Sequence, residues 1–212
     1  MKYKNIIFDC DSTLTKIEGL DEIARQKGIL DQVEAITRKG MNGEIPYEVS
    51  FRRRWLEIVR PTKEDLEWLG QYYIRNLVEG AFEAVTKLKE LARHVSILSH
   101  VPEPSIRILA EHLGIAQENV FAVPTKFIYD STMEVSEEFL GEIDSFKERV
   151  VKEIRVTGPT VLIGDGATDL KAARIADLFI GFGGVVFRPK LKKLCRFYIE
   201  EPSLQPILDI VL

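Results

Sequence analysis

The residues best suited to chemistry are acidic and stand just after short apolar runs. Asp9 and Asp11 follow one such run, and Asp165 and Asp169 share the segment Gly164–Asp169. A carboxylate that attacks a phosphoryl group meets negative charge, and a bridging divalent cation offsets that repulsion. Carboxylate oxygens are hard ligands that suit Mg²⁺. Asp9, Asp11, Asp165 and Asp169 are therefore candidate Mg²⁺ ligands, and Asp9 is also the candidate nucleophile.

Complementary chemistry is available from Asp11 itself and from two further side chains. Asp11 lies two residues after Asp9, and a turn there would bring it over the site. It can then act as general acid toward the leaving oxygen and as general base toward water. Lys147 can neutralise charge and orient the nucleophile, and Ser99 can donate a hydrogen bond to a phosphate oxygen. Each feature alone is common, but their conjunction favours a phosphatase with an aspartyl-phosphate intermediate on Asp9.

The elements that must position these residues follow from short, continuous apolar runs. Such runs suit strands buried on both faces of a parallel sheet. They cover residues 5–8, 95–98, 161–163 and 178–180. Amphipathic stretches between and beside them predict helices over 81–92, 103–113, 145–155 and 169–176. The alternation predicts an α/β fold with a doubly wound, mostly parallel, Rossmann-like sheet, whose ligands bind beyond the carboxyl ends of the strands.

Residues 16–78 interrupt this alternation, because they contain no convincing buried strand. They predict about four helices. These run over about 20–27, over 31–39 up to Gly40, from Pro46 to just before Pro61, and onward from an N-cap at Thr62. We therefore expect an α/β core domain of residues 1–15 and 79–212 and a helical cap domain of residues 16–78. A small hairpin is expected over 127–135, turning at Asp130-Ser131.

Composition limits the classes of partner. The chain has 212 residues and a net charge of −4, and its one dense basic run is Phe51–Trp55. Neither nucleic acid nor a membrane surface is therefore an expected partner. The N-terminal apolar run is too short for a signal peptide, and Cys10 and Cys195 make no disulfide framework. We expect a cytoplasmic enzyme that acts on a small phosphorylated metabolite, and a homodimer is left open.

These segments resemble the motifs of the haloacid-dehalogenase superfamily. Phe8–Thr15 resembles the first motif, D-x-D-x-T, and Gly164–Asp169 resembles the fourth. Ser99 and Lys147 resemble the second and the third. The likeness covers nearly the whole chain and is greatest to the phosphoserine phosphatases, through GDGATD and the segment IADLFIGFGG at 175–184. It implies Mg²⁺-dependent hydrolysis of phosphoserine in serine biosynthesis, and a helical cap that follows the first motif.

The resemblance also implies substrate-binding residues in the cap. Glu18 would bind the ammonium group of the substrate and Arg54 its carboxylate, while Met41 and Tyr47 would line the pocket. Helical periodicity independently favours Arg54. On the third predicted helix it shares a broad face with Tyr47, whereas Arg53 points the opposite way.

One departure from the family bears on the substrate. The second motif usually reads Ser-Gly-Gly, whereas this chain has Ser99-His100-Val101. A histidine side chain occupies space that glycine leaves open, so His100 is a further candidate for substrate contact.

Other functions stay open beside phosphoserine hydrolysis. They are the same chemistry on another small phosphomonoester and phosphoryl transfer to an alcohol such as homoserine. A phospho-accepting signalling domain is disfavoured, because receiver domains have no acid at the position of Asp11 and no inserted cap. A catalytically silent binding protein is disfavoured because no motif residue is missing.

Overall fold

The computed structural model describes residues 2–41, 44–91, 93–128 and 132–212, with only the backbone described for Met41 and Thr132. Its strands are β1 (Asn5–Phe8), β2 (His94–Pro102), β3 (Val120–Val123), β4 (Lys126–Ile128), β5 (Thr132–Glu134), β6 (Thr160–Gly164), β7 (Leu178–Phe182) and β8 (Phe197–Ile199). Six of them form one sheet in the order β3-β2-β1-β6-β7-β8, and β4 and β5 form a separate hairpin. All neighbours in the six-stranded sheet are parallel.

Helices connect and flank these strands. They are α1 (Gly19–Gln26), α2 (Leu30–Met41), α3 (Tyr47–Phe51), α4 (Lys63–Arg75), α5 (Ala81–Glu90), α6 (Glu103–His112), α7 (Glu137–Glu142), α8 (Phe146–Arg155), α9 (Ala167–Ala172), α10 (Pro189–Leu194) and α11 (Pro206–Val211). A turn with non-helical backbone at Asp11 and Ser12 covers Cys10–Leu14, and a wider helical segment over Arg52–Val59 continues α3. Within the described ranges, none of these helices is both long and apolar enough to cross a bilayer.

The predicted fold class is confirmed, since a parallel sheet with helical connections is what the structure contains. The four predicted strands are β1, β2, β6 and β7, and every residue of β1, β6 and β7 is buried. Two strands were not predicted. β3 has only four residues, and β8 is a three-residue edge strand that is partly buried. Such short strands carry too little periodicity to be distinguished from loops.

The strand order reverses beside β1, which is where open α/β sheets bind their ligands. The chain builds outward from β1 to β2 and β3 on one side, and through β6, β7 and β8 on the other. At such a reversal the two connections leave in opposite directions, which opens a binding crevice. Phe8, the last residue of β1, pairs with Ile163 of β6, and the amide of Asp9 donates to Ile163 O at 2.9 Å. The residues that follow β1 and β6 are thereby neighbours.

The segment between β1 and β2 is helical, and we call residues 16–78 the helical insertion. Its two ends meet, because Lys16 N donates to Asn76 O at 2.8 Å and Val78 N donates to Leu14 O at 2.9 Å. Its apolar side chains continue the hydrophobic core of the sheet. Against α6, Gly70 permits close packing, since a Cβ there would lie 2.7 Å from Ile108 Cβ. The separation of the insertion as a domain remains a prediction.

Several boundaries differ from the sequence prediction, and one predicted turn lies outside the described residues. Helix α2 runs through Gly40 to Met41 instead of stopping at Gly40. A Cβ at Gly40 would lie 2.9 Å from Ser50 Oγ, so this glycine serves close packing between helices and not termination. Helix α9 begins at Ala167, two residues before the prediction. The predicted hairpin exists as β4 and β5, but its turn at Asp130-Ser131 lies outside the described residues.

The first prediction concerns the start of α4. Thr62 Oγ1 accepts from Asp65 N at 3.2 Å, and Asp65 Oδ2 accepts from Thr62 N at 2.8 Å, which completes a capping box. Thr62→Ala removes one half of it and should lower the free energy of unfolding by about 1 kcal/mol. Urea denaturation monitored by circular dichroism measures this. The neighbouring exposed Lys63→Ala is the control and should change stability by less than about 0.5 kcal/mol.

Candidate active site

A buried lysine joins two of the predicted acidic residues. Lys147 Nζ lies 2.8 Å from Asp9 Oδ1 and 2.7 Å from Asp169 Oδ1. Lys147 is 4% exposed, Asp9 7% and Asp169 0%. Burial alone would lower the pKa of Lys147, but the charges of Asp169 and Asp9 raise it above its usual value. The lysine therefore stays a cation, as a buried charge can when it is paired and hydrogen-bonded.

The two aspartates of the segment Gly164–Asp169 are held in different ways, Asp169 by the local backbone and Asp165 by an arginine. Asp169 lies in the first turn of α9, and its Oδ2 accepts from Gly166 N at 3.1 Å. A Cβ at Gly164 would lie 2.3 Å from Asp169 Cγ, so only glycine lets this carboxylate fold back over the end of β6. Asp165 Oδ2 accepts from Arg188 Nε at 3.0 Å and from Arg188 Nη2 at 2.7 Å.

Three of the four candidate metal ligands form a cluster. Asp9, Asp165 and Asp169 each offer a carboxylate oxygen within 4.8 Å of the others. Burial, then the charge of Asp169, raises the pKa of Asp9, and the same two causes raise the pKa of Asp165 to about 6. Three buried carboxylates thus face the two cations Lys147 and Arg188. The donor set is all oxygen and carries excess negative charge, so it fits a hard divalent cation such as Mg²⁺.

Asp11 lies outside this cluster and contacts the helical insertion. The chain reverses at Ser12, whose φ is 52°, so Asp11 lies on a turn after β1. Its Oδ1 accepts from Tyr73 OH at 2.5 Å and from Gly19 N at 3.2 Å. Burial, and next the charge of Glu18, raise its pKa above the usual value. The Asp11 carboxyl group therefore lies between the loop after β1 and the helical insertion. Its role as a metal ligand remains a prediction.

The end of β2 brings the second motif toward the insertion. Ser99 is 2% exposed, and its Oγ accepts from Val101 N at 3.2 Å. The ring of His100 lies 4.9 Å from the ring of Tyr47, centroid to centroid. Burial lowers the pKa of His100 to about 3, so the ring is neutral. Its Nε2 lies 3.2 Å from Ile143 O, which can only accept, so Nε2 carries the hydrogen, and no donor among the described residues reaches Nδ1.

The predicted substrate-binding residues of the insertion occupy the same region. Arg54 Nε donates to Ser50 O at 3.2 Å and Nη1 to Thr37 Oγ1 at 3.3 Å. Among the described residues, no carboxylate forms a salt bridge with Arg54. Its positive charge opposes the burial that raises the pKa of Glu18 and of Tyr47, and it adds to the burial that lowers the pKa of His100. The side chain of Met41 lies outside what the structure describes.

Glu18 completes the charged groups on this side of the site. It precedes α1, and its Oε1 accepts from Ser12 Oγ at 2.6 Å. Tyr47, the first residue of α3, lies deep enough for burial to raise its pKa to about 12. A guanidinium and a carboxylate therefore flank the same region, which suits a ligand that carries both signs of charge.

Two residues of the site were not predicted from the sequence. They are Tyr73 and Arg188, and neither belongs to a motif of the sequence. Arg188 had one usable signal, because it follows β7 by six residues and so lies near the same edge of the sheet. Tyr73 had none, since its hydroxyl meets Asp11 across 62 positions of sequence.

Comparison with known proteins gives concordant relatives. The phosphoserine phosphatase of Bos taurus is 33% identical over 200 residues, which cover 92% of this chain and 88% of that protein. The phosphoserine phosphatase of Methanocaldococcus jannaschii is 31% identical over 220 residues, which cover 99% and 98%. A solved structure described as a phospho-aspartyl intermediate analogue of phosphoserine phosphatase superposes with a TM-score of 0.79 at 29% identity, covering all of both chains.

The family model for haloacid dehalogenase-like hydrolases matches residues 3–177. This range includes Asp9, Asp11, Ser99, Lys147 and the Gly164–Asp169 segment. The sequence-based recognition is thereby confirmed. The chain therefore belongs to the haloacid dehalogenase-like hydrolase family and is a phosphatase of that family.

Proposed function

We propose that this phosphatase hydrolyses phosphoserine to serine and phosphate, with Mg²⁺ and through an aspartyl-phosphate on Asp9. The observation that carries the chemistry is the buried cluster in which Lys147 pairs with Asp9 beside Asp165 and Asp169. Such a cluster is costly to bury, and a stable fold does not require so many like charges in one place. It is consistent with a site that binds a cation and a phosphate.

The first half-reaction is assigned to Asp9 and Asp11. Lys147 Nζ and Cys10 N, each 2.8 Å away, both donate to Asp9 Oδ1. Oδ2 has no donor among the described residues, so it is our candidate for attack on phosphorus. A bond forms between Oδ2 and phosphorus as the bond from phosphorus to the serine oxygen breaks. Asp11 gives its proton to that oxygen, and serine leaves as a neutral alcohol.

The second half-reaction returns the enzyme to its starting state. Asp11, now ionised, takes a proton from water as the water oxygen bonds to phosphorus, and the bond to Asp9 breaks. Ser99 and Lys147 supply hydrogen bonds and positive charge near the phosphoryl oxygens. Bound Mg²⁺, held by Asp9, Asp165 and Asp169, would offset the negative charge of the phosphoryl group.

Substrate selection is assigned to the helical insertion, which we propose acts as a cap domain over the crevice. Arg54 has no described carboxylate partner, so its guanidinium is available for the carboxylate of phosphoserine. Glu18 would bind the ammonium group. The relatives named as phosphoserine phosphatases support this substrate. A cytoplasmic location and a homodimer remain predictions.

One observation favours a second candidate, the same chemistry on another small phosphomonoester. His100 fills space beside Ser99, and its ring packs against Tyr47 of the insertion and Phe146 of α8. A neutral imidazole with a free Nδ1 acceptor would favour a substrate that presents a donor there. This candidate shares every step above and differs only in the leaving alcohol.

The prediction for mechanism concerns Asp9. Asp9→Asn should abolish turnover while the thermal melting curve still shows a folded protein, because an amide is a poor nucleophile. Asp11→Asn should slow phosphate release by about 10²–10⁴-fold. Phosphate release is the measurement, and binding of beryllofluoride by wild type but not by Asp9→Asn is the control. Wild-type activity in Asp9→Asn would rule this mechanism out.

The prediction for the metal uses chelation. EDTA should remove activity and Mg²⁺ should restore it, whereas Ca²⁺ should inhibit because its coordination shell is larger and more flexible. Asp165→Ala should raise the Mg²⁺ concentration that gives half-maximal activity. Asp144→Ala, an exposed aspartate, is the control and should leave that concentration unchanged. Full activity under exhaustive chelation would contradict a metal requirement.

The prediction for substrate compares two arginines. Arg54→Ala should lower kcat/KM for phosphoserine by about 10²-fold, because a charged hydrogen-bonded pair is lost. The same change should affect p-nitrophenyl phosphate, which has no carboxylate, far less. Arg54→Lys should not restore kcat/KM for phosphoserine, since lysine lacks the planar guanidinium that binds a carboxylate with two hydrogen bonds. Arg53→Ala, on the exposed side of the same helix, is the matched control.

His100→Gly separates the two candidate substrates in the same assay. If phosphoserine is the native substrate, His100→Gly should leave kcat/KM for phosphoserine nearly unchanged or raise it slightly. If another phosphomonoester is native, the change should lower activity on that compound. Negligible wild-type turnover of phosphoserine that Arg54→Ala does not alter would contradict the substrate and leave the phosphatase chemistry in place.

A further inference from the structure

A tyrosine of the helical insertion reaches the proposed acid of the core. Tyr73 lies near the end of α4, is 0% exposed, and donates its hydroxyl to Asp11 Oδ1 at 2.5 Å. A buried phenol needs a partner for its hydroxyl. The partner here is a carboxyl group that the proposed mechanism uses, not a backbone carbonyl of the core.

A second donor meets the same carboxylate oxygen. Gly19 N, at the start of α1, donates to Asp11 Oδ1 at 3.2 Å. No hydrogen bond from the described residues reaches Asp11 Oδ2. When the carboxyl group is protonated, the oxygen that accepts two hydrogen bonds is the poorer place for the proton. The two donors thus favour Oδ2 as the oxygen that carries it.

Gly19 is the residue that makes room for the tyrosine hydroxyl. A Cβ at position 19 would lie 1.9 Å from Tyr73 OH and 2.8 Å from Tyr73 Cζ. Any other residue would therefore displace the phenol from Asp11. The insertion supplies both donors, and the core supplies the acid between them.

We propose that Tyr73 is a positioning residue for phosphoryl transfer, which rests on the role proposed above for Asp11. Its hydroxyl holds Asp11 Oδ1, together with Gly19 N, so that Oδ2 delivers the proton. In that step the bond from Oδ2 to hydrogen breaks and a bond from hydrogen to the leaving oxygen forms, as phosphorus passes from that oxygen to Asp9. Asp11 is aligned for this only while the base of the insertion is packed against the loop after β1.

The test uses Tyr73→Phe, which removes one oxygen atom and keeps the ring. With enzyme in excess over substrate, release of the leaving group reports the first half-reaction alone. Release of serine from phosphoserine should slow by about 10-fold or more, because an alkoxide needs the proton. Release of p-nitrophenolate should change by less than about 2-fold, because that anion leaves without one. The enzyme concentration that gives half the maximal rate of serine release should stay unchanged, since Tyr73 is not placed against the substrate.

Tyr72→Phe is the matched control. Tyr72 neighbours Tyr73 in sequence, but its ring stacks on Trp68 at 4.8 Å. This variant should behave as wild type on both substrates. Gly19→Ala is an independent second variant, because its methyl group displaces the Tyr73 hydroxyl without removing it. It should reproduce the substrate-selective loss.

A double variant distinguishes action through Asp11 from a general loss of structure. If Tyr73 acts through Asp11, adding Tyr73→Phe to Asp11→Asn should slow serine release no further. Equal losses on both substrates in Tyr73→Phe, together with a lower Tm, would show a merely structural role and overturn the inference. Loss in Asp11→Asn without loss in Tyr73→Phe would overturn it too and leave the proposed function standing. Unchanged serine release in Asp11→Asn would overturn both the inference about Tyr73 and the role proposed for Asp11.

Discussion

A buried cation among buried carboxylates is the constraint on which the rest of the site depends. Lys147 can remain charged in the interior only because Asp9 and Asp169 lie within 2.8 Å of it. Asp9 follows the end of β1, Asp169 lies in the first turn of α9, and Lys147 comes from the start of α8. The parallel register of β1 and β6 must therefore be kept for the charges to meet. Removal of one partner would leave an uncompensated charge, which is more costly than never burying the pair.

The excess of negative charge explains why this arrangement suits catalysis better than stability. Lys147 and Arg188 face three clustered carboxylates, and burial raises the pKa of Asp9 and Asp165. A protein that needed only a stable core would fill this volume with apolar side chains. A divalent cation and a phosphate would bring further charges of both signs, and the crevice between β1 and β6 is where they would bind.

The helical insertion contacts the core at the site itself. It supplies the two donors on Asp11, and Tyr47 packs its ring against His100 of the core. Farther out, Arg52 forms a forked pair with Glu137 at 2.9 and 2.7 Å. That pair is exposed at the carboxylate, so it contributes little to stability. The groups proposed to select a substrate and the groups proposed to align the acid thus lie on one helical unit.

The fold class, the order of the candidate site residues and the chemistry open to them could all be predicted from the sequence. Apolar runs of strand length and D-x-D spacing are local signals, and Asp9, Lys147, Asp165 and Asp169 could be identified from them. The contacts between these groups could not be predicted in this way, because they depend on how distant segments pack. The contacts of Tyr73 with Asp11 and of Arg188 with Asp165 join residues 62 and 23 positions apart. Periodicity assigns a side chain to a face, whereas the partner it meets there depends on how separate elements pack.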